Sequence, residues 1–232
     1  MTTMENVIPS RCKPLDDLLG GGFTIGEITV VYGEAGTGKT TLALETAIEA
    51  TRRDSKVIYV DTDHSFTHQR FVQLAGEDSD AASELILVFF PDTFSAQTNL
   101  IESMDSYLTA RTRLAIVDSI TSLYRVSLGS AQQTFFLNRE LNRQLAYLSE
   151  VAARRRLVVL LTSQVHARLD FPFGRIEPVA RRTLAYWPRT IIRLRNTSEQ
   201  SRKEIIVERR KGGQTGILKC SAKLTALGFE PI

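Results

Sequence analysis

The chain has 232 residues, of which 43% are apolar and 24% charged, which is ordinary for one large α/β domain with a substantial core. No apolar run approaches the roughly 18 residues of a membrane span, and the first ten residues lack the charged and apolar regions of a signal peptide. These features argue against a membrane or secreted protein and predict a cytoplasmic one. Cys12 and Cys220 are isolated in sequence, which argues against a metal site or a disulfide.

The net charge of +3 hides an uneven distribution of sign along the chain. Residues 1–150 carry 12 Lys/Arg and 20 Asp/Glu, a balance of −8, whereas residues 151–232 carry 17 Lys/Arg and 6 Asp/Glu, a balance of +11. A basic C-terminal third predicts a polyanionic partner, nucleic acid first, with a solvated basic face as the alternative.

Apolar runs separated by helical segments predict a parallel sheet, because continuous apolarity is typical of strands that are covered on both faces. The predicted strands are Ile28–Tyr32, Lys56–Asp61, Leu85–Phe90, Arg113–Asp118 and Leu157–Thr162. Thr40–Arg53 and Gln132–Arg154 are predicted helices. In the second, we expect Phe136, Leu141, Leu145, Leu148 and Ala152 to lie near one buried face.

After Thr162 the pattern changes to strands with short connections, which favours antiparallel pairing. These strands are Thr190–Arg195, Lys203–Arg209 and Gly216–Ala222. The sequence therefore predicts one domain spanning residues 1–232, with a mostly parallel, doubly wound α/β core and C-terminal antiparallel strands.

The segment Gly33–Thr41, GEAGTGKTT, matches the phosphate-binding loop pattern G-x-x-x-x-G-K-[ST] between a strand and a helix. The glycines let amide groups surround a phosphate, and the helix directs its positive end toward the same anion. The alternative is a fortuitous Gly-rich turn. The predicted nucleotide-binding residues are Gly33, Glu34, Ala35, Gly36, Thr37, Gly38, Lys39, Thr40 and Thr41.

Polar residues at the ends of three other strands predict the remaining chemistry at the same sheet edge. Asp118 follows the run LAIVD and is expected to hold Mg²⁺ together with Thr40. Asp63 is predicted to orient the attacking water, and Asp61 to hold the turn. Gln164 is predicted to bond the γ-phosphate or the water, with an ordinary strand-end residue as the alternative.

Together these motifs resemble the RecA/RadA recombinase superfamily, in the family's order and over about residues 8 to 230. The stretch ending in LLGGG before the first strand resembles the family's opening, YVDTDHSFTHQR its second strand and turn, and LAIVDSITSLYR its Mg²⁺-binding strand. LTSQVHAR resembles its glutamine switch. The resemblance implies a RecA-like P-loop NTPase core that uses ATP and Mg²⁺.

Within the superfamily, the chain resembles the short archaeal paralogues of the strand-exchange protein RadA. About eight residues precede the core, so we expect no N-terminal helical DNA-binding domain. The resemblance implies a DNA-binding accessory protein of recombination and repair that assists RadA, with a Holliday junction resolvase as a further partner. It also implies that Arg209 and Lys211 contact the γ-phosphate of the nucleotide bound by a neighbouring subunit. The alternative is that they contact DNA or are solvated. The resemblance leaves the oligomeric state open.

One residue departs from the family pattern. The family's water-activating residue is a glutamate, and this chain has Asp63 at the matching position. One methylene fewer withdraws the carboxylate by roughly 1.5 Å, and a displacement of about 1 Å can cost on the order of a hundredfold in rate. We therefore expect slow ATP hydrolysis. The predicted catalytic residues are Asp63, Lys39 and Gln164.

The loop after Gln164 mixes basic and aromatic residues, which suits single-stranded or branched DNA bound without sequence preference. The predicted DNA-binding residues are Arg125, Arg168, Phe171, Phe173, Arg175, Arg181 and Arg182. Two other functions remain open. One is a KaiC-like signalling ATPase, which shares the LLGGG opening and the phosphate loop, and the other is a nucleotide-gated scaffold that binds RadA without DNA.

Overall fold

The structure, a computed structural model, describes residues 6–168, 175–210 and 217–232. Within them, nine strands form one sheet in the order β13-β12-β11-β10-β3-β7-β6-β4-β5. The strands of this sheet are β3 (Ile28–Gly33), β4 (Lys56–Asp61), β5 (Ile86–Phe89), β6 (Thr112–Asp118), β7 (Val158–Ser163), β10 (Thr190–Asn196), β11 (Arg202–Arg209), β12 (Leu218–Thr225) and β13 (Gly228–Pro231).

Two small two-stranded sheets accompany the large one. They pair β1 (Val7–Ile8) with β2 (Phe23–Thr24), and β8 (Val165–Arg168) with β9 (Arg175–Pro178).

The helices are α1 (Lys13–Leu19), α2 (Lys39–Thr51), α3 (His68–Ala75), α4 (Ser79–Ser83), α5 (Phe94–Glu102), α6 (Ser122–Val126), α7 (Ala131–Arg155) and α8 (Arg181–Tyr186), with short 3₁₀ turns at Gly76–Asp78 and Met104–Tyr107. None of the described helices combines the length and apolarity that a membrane crossing requires.

Helices cover both faces of the large sheet. Successive side chains of a strand point to opposite faces, so each strand contributes residues to both helical layers. Val31 and Tyr59 pack with α1, α2, α3 and α4 on one side. Val30 and Ile58 pack with α5, α6, α7 and α8 on the other. The central strands are therefore apolar at nearly every position, which explains the continuous runs and confirms the predicted doubly wound α/β fold.

The predicted antiparallel extension is correct except at its first strand. β10 pairs with β11 in antiparallel fashion, but it pairs with β3 in parallel, with Ile191 opposite Val30. β11, β12 and β13 then continue the antiparallel part. β10 therefore joins the two parts of the sheet, a position that the short connection to β11 does not reveal.

The predicted apolar face of α7 is wrong at one residue. Leu141, Leu145 and Leu148 are fully buried, as expected, whereas Phe136 is 52% exposed. The buried residue in that turn is Leu137, and the guanidinium carbon of Arg139 lies 5.4 Å from the centre of the Phe136 ring. Helical periodicity does not distinguish these neighbours, because adjacent residues differ by only about 100° around the helix and the packing of the folded chain decides which one is covered.

Candidate nucleotide site

The phosphate loop connects the end of β3 to the start of α2 in a conformation that requires glycine. Gly36 and Gly38 have φ angles of 73° and 95°, in the left-handed region. A Cβ at Gly33 would lie 2.4 Å from the carbonyl oxygen of Leu194. The loop therefore passes against β10, and it leaves the N-terminus of α2 without a side-chain cap. An uncapped helix N-terminus presents free amide groups to an anion.

Lys39 lies within this loop, and no carboxylate of the described residues is in hydrogen-bonding contact with it. Its Nζ donates to the carbonyl oxygens of Gly33 at 2.9 Å and Glu34 at 2.8 Å. Burial lowers the pKa of Lys39, and the negative charges of Asp118, Asp63 and Glu34 oppose that shift. A partly buried ammonium that bonds only to main-chain oxygens suits an anionic ligand, which would supply the missing counter-charge.

Asp118 ends β6 and is held in place by hydroxyl groups. The hydroxyl of Tyr59 donates to it at 2.8 Å, and that of Thr162 also donates to it. The hydroxyl of Thr40 is also near enough to favour the charged form of Asp118. Burial raises the pKa of Asp118, while these hydrogen bonds favour the carboxylate.

The described residues contain no cluster of three or more His, Cys, Asp or Glu that could hold a metal by itself. Mg²⁺, however, is usually bound through one or two carboxylates together with substrate phosphates and waters. The hydroxyl of Thr40 and the carboxylate of Asp118, which line one cavity, therefore fit Mg²⁺ that arrives with a triphosphate.

Asp63 and Gln164 follow the ends of β4 and β7 and meet at the same edge of the sheet. Nε2 of Gln164 donates to Oδ2 of Asp63 at 3.2 Å and to the hydroxyl of Ser122 at 3.0 Å. The Ser122 hydroxyl in turn donates to Oδ1 of Asp63. Asp61 is fully buried and accepts from the main-chain N–H of Asp63 at 3.1 Å and of Phe66 at 2.7 Å. Asp61 therefore holds the turn that presents Asp63.

A single cavity of about 480 Å³ connects these groups. Its lining includes glycines of the phosphate loop together with Lys39, Thr40, Asp63, Asp118 and Gln164. The carboxyl ends of β3, β4, β6 and β7 meet there, which is where open α/β sheets bind ligands. The arrangement can hold a phosphate chain and a metal ion, and it places a carboxylate and an amide beside them.

Arg125, predicted to contact DNA, also lines this cavity. The other predicted DNA residues lie elsewhere. Arg181 and Arg182 begin α8, where Arg182 is exposed. The backbones of Arg168 and Arg175 pair across β8 and β9, while their side chains lie outside the described part of the structure. Phe171, Phe173 and Lys211 also lie outside the described residues.

Arg209, expected at a neighbouring subunit's nucleotide, bonds within its own chain. Its guanidinium donates to the carbonyl oxygen of Ala185 at 2.6 Å and to that of Pro188. Arg210 donates to the carbonyl oxygens of Leu18 and Leu19 at the end of α1. In this conformation Arg209 stabilises the end of α8, so a contact with another subunit would require these bonds to open.

Sequence reasoning missed three hydroxyl groups of the site: those of Tyr59, Ser122 and Thr162. Tyr59 and Thr162 belong to apolar strand runs, so their sequence context indicates only core positions. Ser122 follows Asp118 by four residues, and no local pattern indicates that α6 turns it toward Asp63. These contacts depend on the pairing of β4, β6 and β7, which brings the strand ends together.

The comparisons with known proteins identify the family of the chain. The Rad51 family model matches residues 5–210 of the chain. The DNA repair and recombination protein RadB of Methanococcoides burtonii is 36% identical over 230 residues, which cover 99% of this chain and 100% of that protein. RadB of Thermococcus gammatolerans is also 36% identical, over 97% of this chain and 99% of that protein.

A solved structure extends this similarity to three dimensions. The crystal structure of the RadB recombinase is 34% identical, superposes with a TM-score of 0.83, and covers 97% of this chain and 100% of that one. The RecA-like core and the resemblance to this branch of the superfamily, both expected from the sequence, are thereby confirmed. The chain belongs to the RadB branch of the Rad51 family.

Proposed function

We propose that this protein binds ATP with Mg²⁺ in the cavity of the phosphate loop, hydrolyses it slowly, and binds DNA in recombination and repair. The observation that carries the proposal is the convergence of Lys39, Asp118, Asp63 and Gln164 on one cavity from four strand ends. The relatives named DNA repair and recombination protein RadB support the biological role.

Each side chain has a role that its contacts support. The loop amides and Lys39 bind the β- and γ-phosphates, and Thr40 with Asp118 holds Mg²⁺, which neutralises charge on the phosphates when bound. Asp63 orients the attacking water and accepts its proton, and Gln164 bonds the water or the γ-phosphate. The short Asp63 side chain, held by Ser122 and Gln164, accounts for slow turnover.

The DNA contact rests on charge and on loop composition. The basic residues after Gln164 and on α8 suit phosphate contacts, and Phe171 and Phe173 suit stacking on unpaired bases. The proposal therefore favours single-stranded or branched DNA without sequence preference. An accessory role toward RadA and a junction resolvase, rather than strand exchange, belongs to the same proposal.

Lys39→Ala tests the nucleotide site. Removing a partly buried ammonium that faces the phosphates should weaken Mg²⁺–ATP binding by at least about 100-fold, since charge-assisted bonds contribute about 1.5–3 kcal/mol each. Titration calorimetry measures the affinity. Lys13→Ala is the matched control, because Lys13 is exposed and its one ion-pair partner among the described residues is Asp17 in the next turn of α1.

An unchanged affinity in Lys39→Ala, with the control also unchanged, would show that ATP does not bind at this loop. The KaiC-like alternative is disfavoured by the match to the Rad51 family and to RadB relatives. The scaffold alternative predicts that the triple variant Arg168→Ala, Arg181→Ala, Arg182→Ala keeps its partner and has no DNA affinity to lose.

A further inference from the structure

Arg125 is predicted from the sequence to contact DNA, but it lies at the cavity of the phosphate loop, a position that a DNA contact does not require. It belongs to the short helix α6, and its side chain lines the cavity of about 480 Å³ together with Lys39, Asp63 and Gln164. It is exposed, and among the described residues its guanidinium has no hydrogen-bond or ion-pair partner. A cation in this position is available to a ligand that enters the cavity.

The charges of the cavity lining indicate what kind of ligand Arg125 suits. Lys39 and Arg125 are the cations of that lining, and Asp63 and Asp118 oppose them, with Glu34 close to Lys39. Lys39 already bonds to two carbonyl oxygens of the loop, and Asp118 is enclosed by hydroxyl groups. A Mg²⁺–triphosphate carries net negative charge, and Arg125 adds to Lys39 a second lining cation, whose guanidinium donors have no partner among the described residues.

Its position on α6 places Arg125 at the end of the cavity where the third phosphate belongs. Ser122, three residues earlier, bonds to both Asp63 and Gln164, the residues proposed to handle the attacking water. Residues three apart on a helix share one face. Ser119 lines the same cavity, and its hydroxyl is buried without a partner among the described residues. The Arg125 guanidinium and the Ser119 hydroxyl therefore both lack a partner among the described residues, and a phosphate oxygen could be that partner.

We infer that Arg125 is a γ-phosphate ligand supplied by the same chain, which makes the site bind a nucleoside triphosphate in preference to a diphosphate. This inference rests on the proposed ATP binding at the phosphate loop. It assigns Arg125 to nucleotide discrimination instead of the DNA contact that the sequence predicts. The Asp63, Ser122 and Gln164 contacts fix α6 beside the reacting end of the nucleotide, so the arginine needs no second subunit.

The test compares the affinities for ATPγS and ADP, both with Mg²⁺, in the wild type and in Arg125→Ala. Loss of a charge-assisted contact to the third phosphate should weaken ATPγS binding about 10- to 100-fold, while ADP binding stays within about twofold. Arg125→Lys should recover part of the discrimination, because a single ammonium replaces the bidentate guanidinium. The control Arg139→Ala removes an exposed arginine of α7 outside the cavity lining and should keep the wild-type ratio.

A third measurement separates this role from a DNA contact. Without nucleotide, the affinity of Arg125→Ala for single-stranded DNA should match the wild type. Equal fold-losses of affinity for ATPγS and ADP, or unchanged affinities for both, would overturn the inference. A loss confined to DNA binding without nucleotide would overturn it as well. If the wild type binds neither nucleotide, or Lys39→Ala binds both normally, the proposed function fails together with it.

Discussion

At the scale of single residues, the site depends on where a few oxygen atoms are held. Asp63 is fixed from two sides, by the hydroxyl of Ser122 and the amide of Gln164. Asp61 holds the turn that carries it, through the main-chain N–H groups of Asp63 and Phe66. The carboxylate of Asp63 is therefore held in place but short, and in the proposed catalytic role its reach would limit the reaction more than its orientation.

Asp63→Glu tests this interpretation. The added methylene extends the carboxylate by roughly 1.5 Å into the cavity, and correcting a misplacement of about 1 Å can recover up to about a hundredfold in rate. We expect kcat for ATP hydrolysis to rise and the affinity for ATP to change little, as measured by steady-state phosphate release. Asp63→Asn is the control and should lower kcat, because an amide cannot accept the proton. A fall in kcat with Asp63→Glu would mean that Asp63 already sits at the productive distance.

At the scale of elements, the C-terminal hairpin β12–β13 supports the phosphate loop. The ring of Phe229 lies so close that a Cβ at Gly38 would be 2.7 Å from it. The main-chain N–H of Phe229 donates to both carboxylate oxygens of Glu45 on α2, at 3.1 and 3.2 Å. Burial raises the pKa of Glu45 to about 7 despite the nearby charges of Arg11 and Arg70. The hairpin thus packs against both the loop and the helix that follows it.

Phe229→Ala should therefore affect both folding and nucleotide binding. Truncating a buried phenylalanine typically costs about 3–5 kcal/mol of unfolding free energy, and the loss of packing beneath Gly38 should also weaken ATP binding. Denaturant unfolding and calorimetry measure the two effects. Phe135→Ala is the control, because Phe135 is 72% exposed on α7 and should change neither quantity. Lower stability with unchanged ATP affinity would show that the hairpin supports the fold alone.

The elements also show which features the sequence determines locally. The phosphate loop, Asp118 and Gln164 were predictable, because each follows an apolar strand whose carboxyl end must lie at one edge of a parallel sheet. The parallel pairing of β10 with β3, the exposure of Phe136 and the placement of Arg125 at the cavity were not. Each of these depends on which distant element covers the residue, and helical or strand periodicity carries no information about that.

At the scale of the whole molecule, the division of charge fits the proposed function. The acidic part of the chain, residues 1–150, contains the phosphate loop, Asp63 and Asp118. The basic part, residues 151–232, begins near the end of α7 and contains β7 and Gln164. Gln164 directly precedes β8, so the residue proposed to bond the γ-phosphate or the attacking water is adjacent to the segment proposed to contact DNA. Under the proposed function, this adjacency would let bound ATP influence the DNA-binding state.

The measurement that tests this account most directly is the affinity for single-stranded DNA with Mg²⁺–ATPγS, with Mg²⁺–ADP and without nucleotide, across about 50 to 200 mM salt. The account predicts affinity that falls steeply with salt and is highest with ATPγS in the wild type. In Lys39→Ala, the difference between nucleotides should disappear while the salt dependence remains. Affinity that is flat with salt, or identical in all three nucleotide states of the wild type, would contradict an ATP-gated, phosphate-contacting DNA-binding protein.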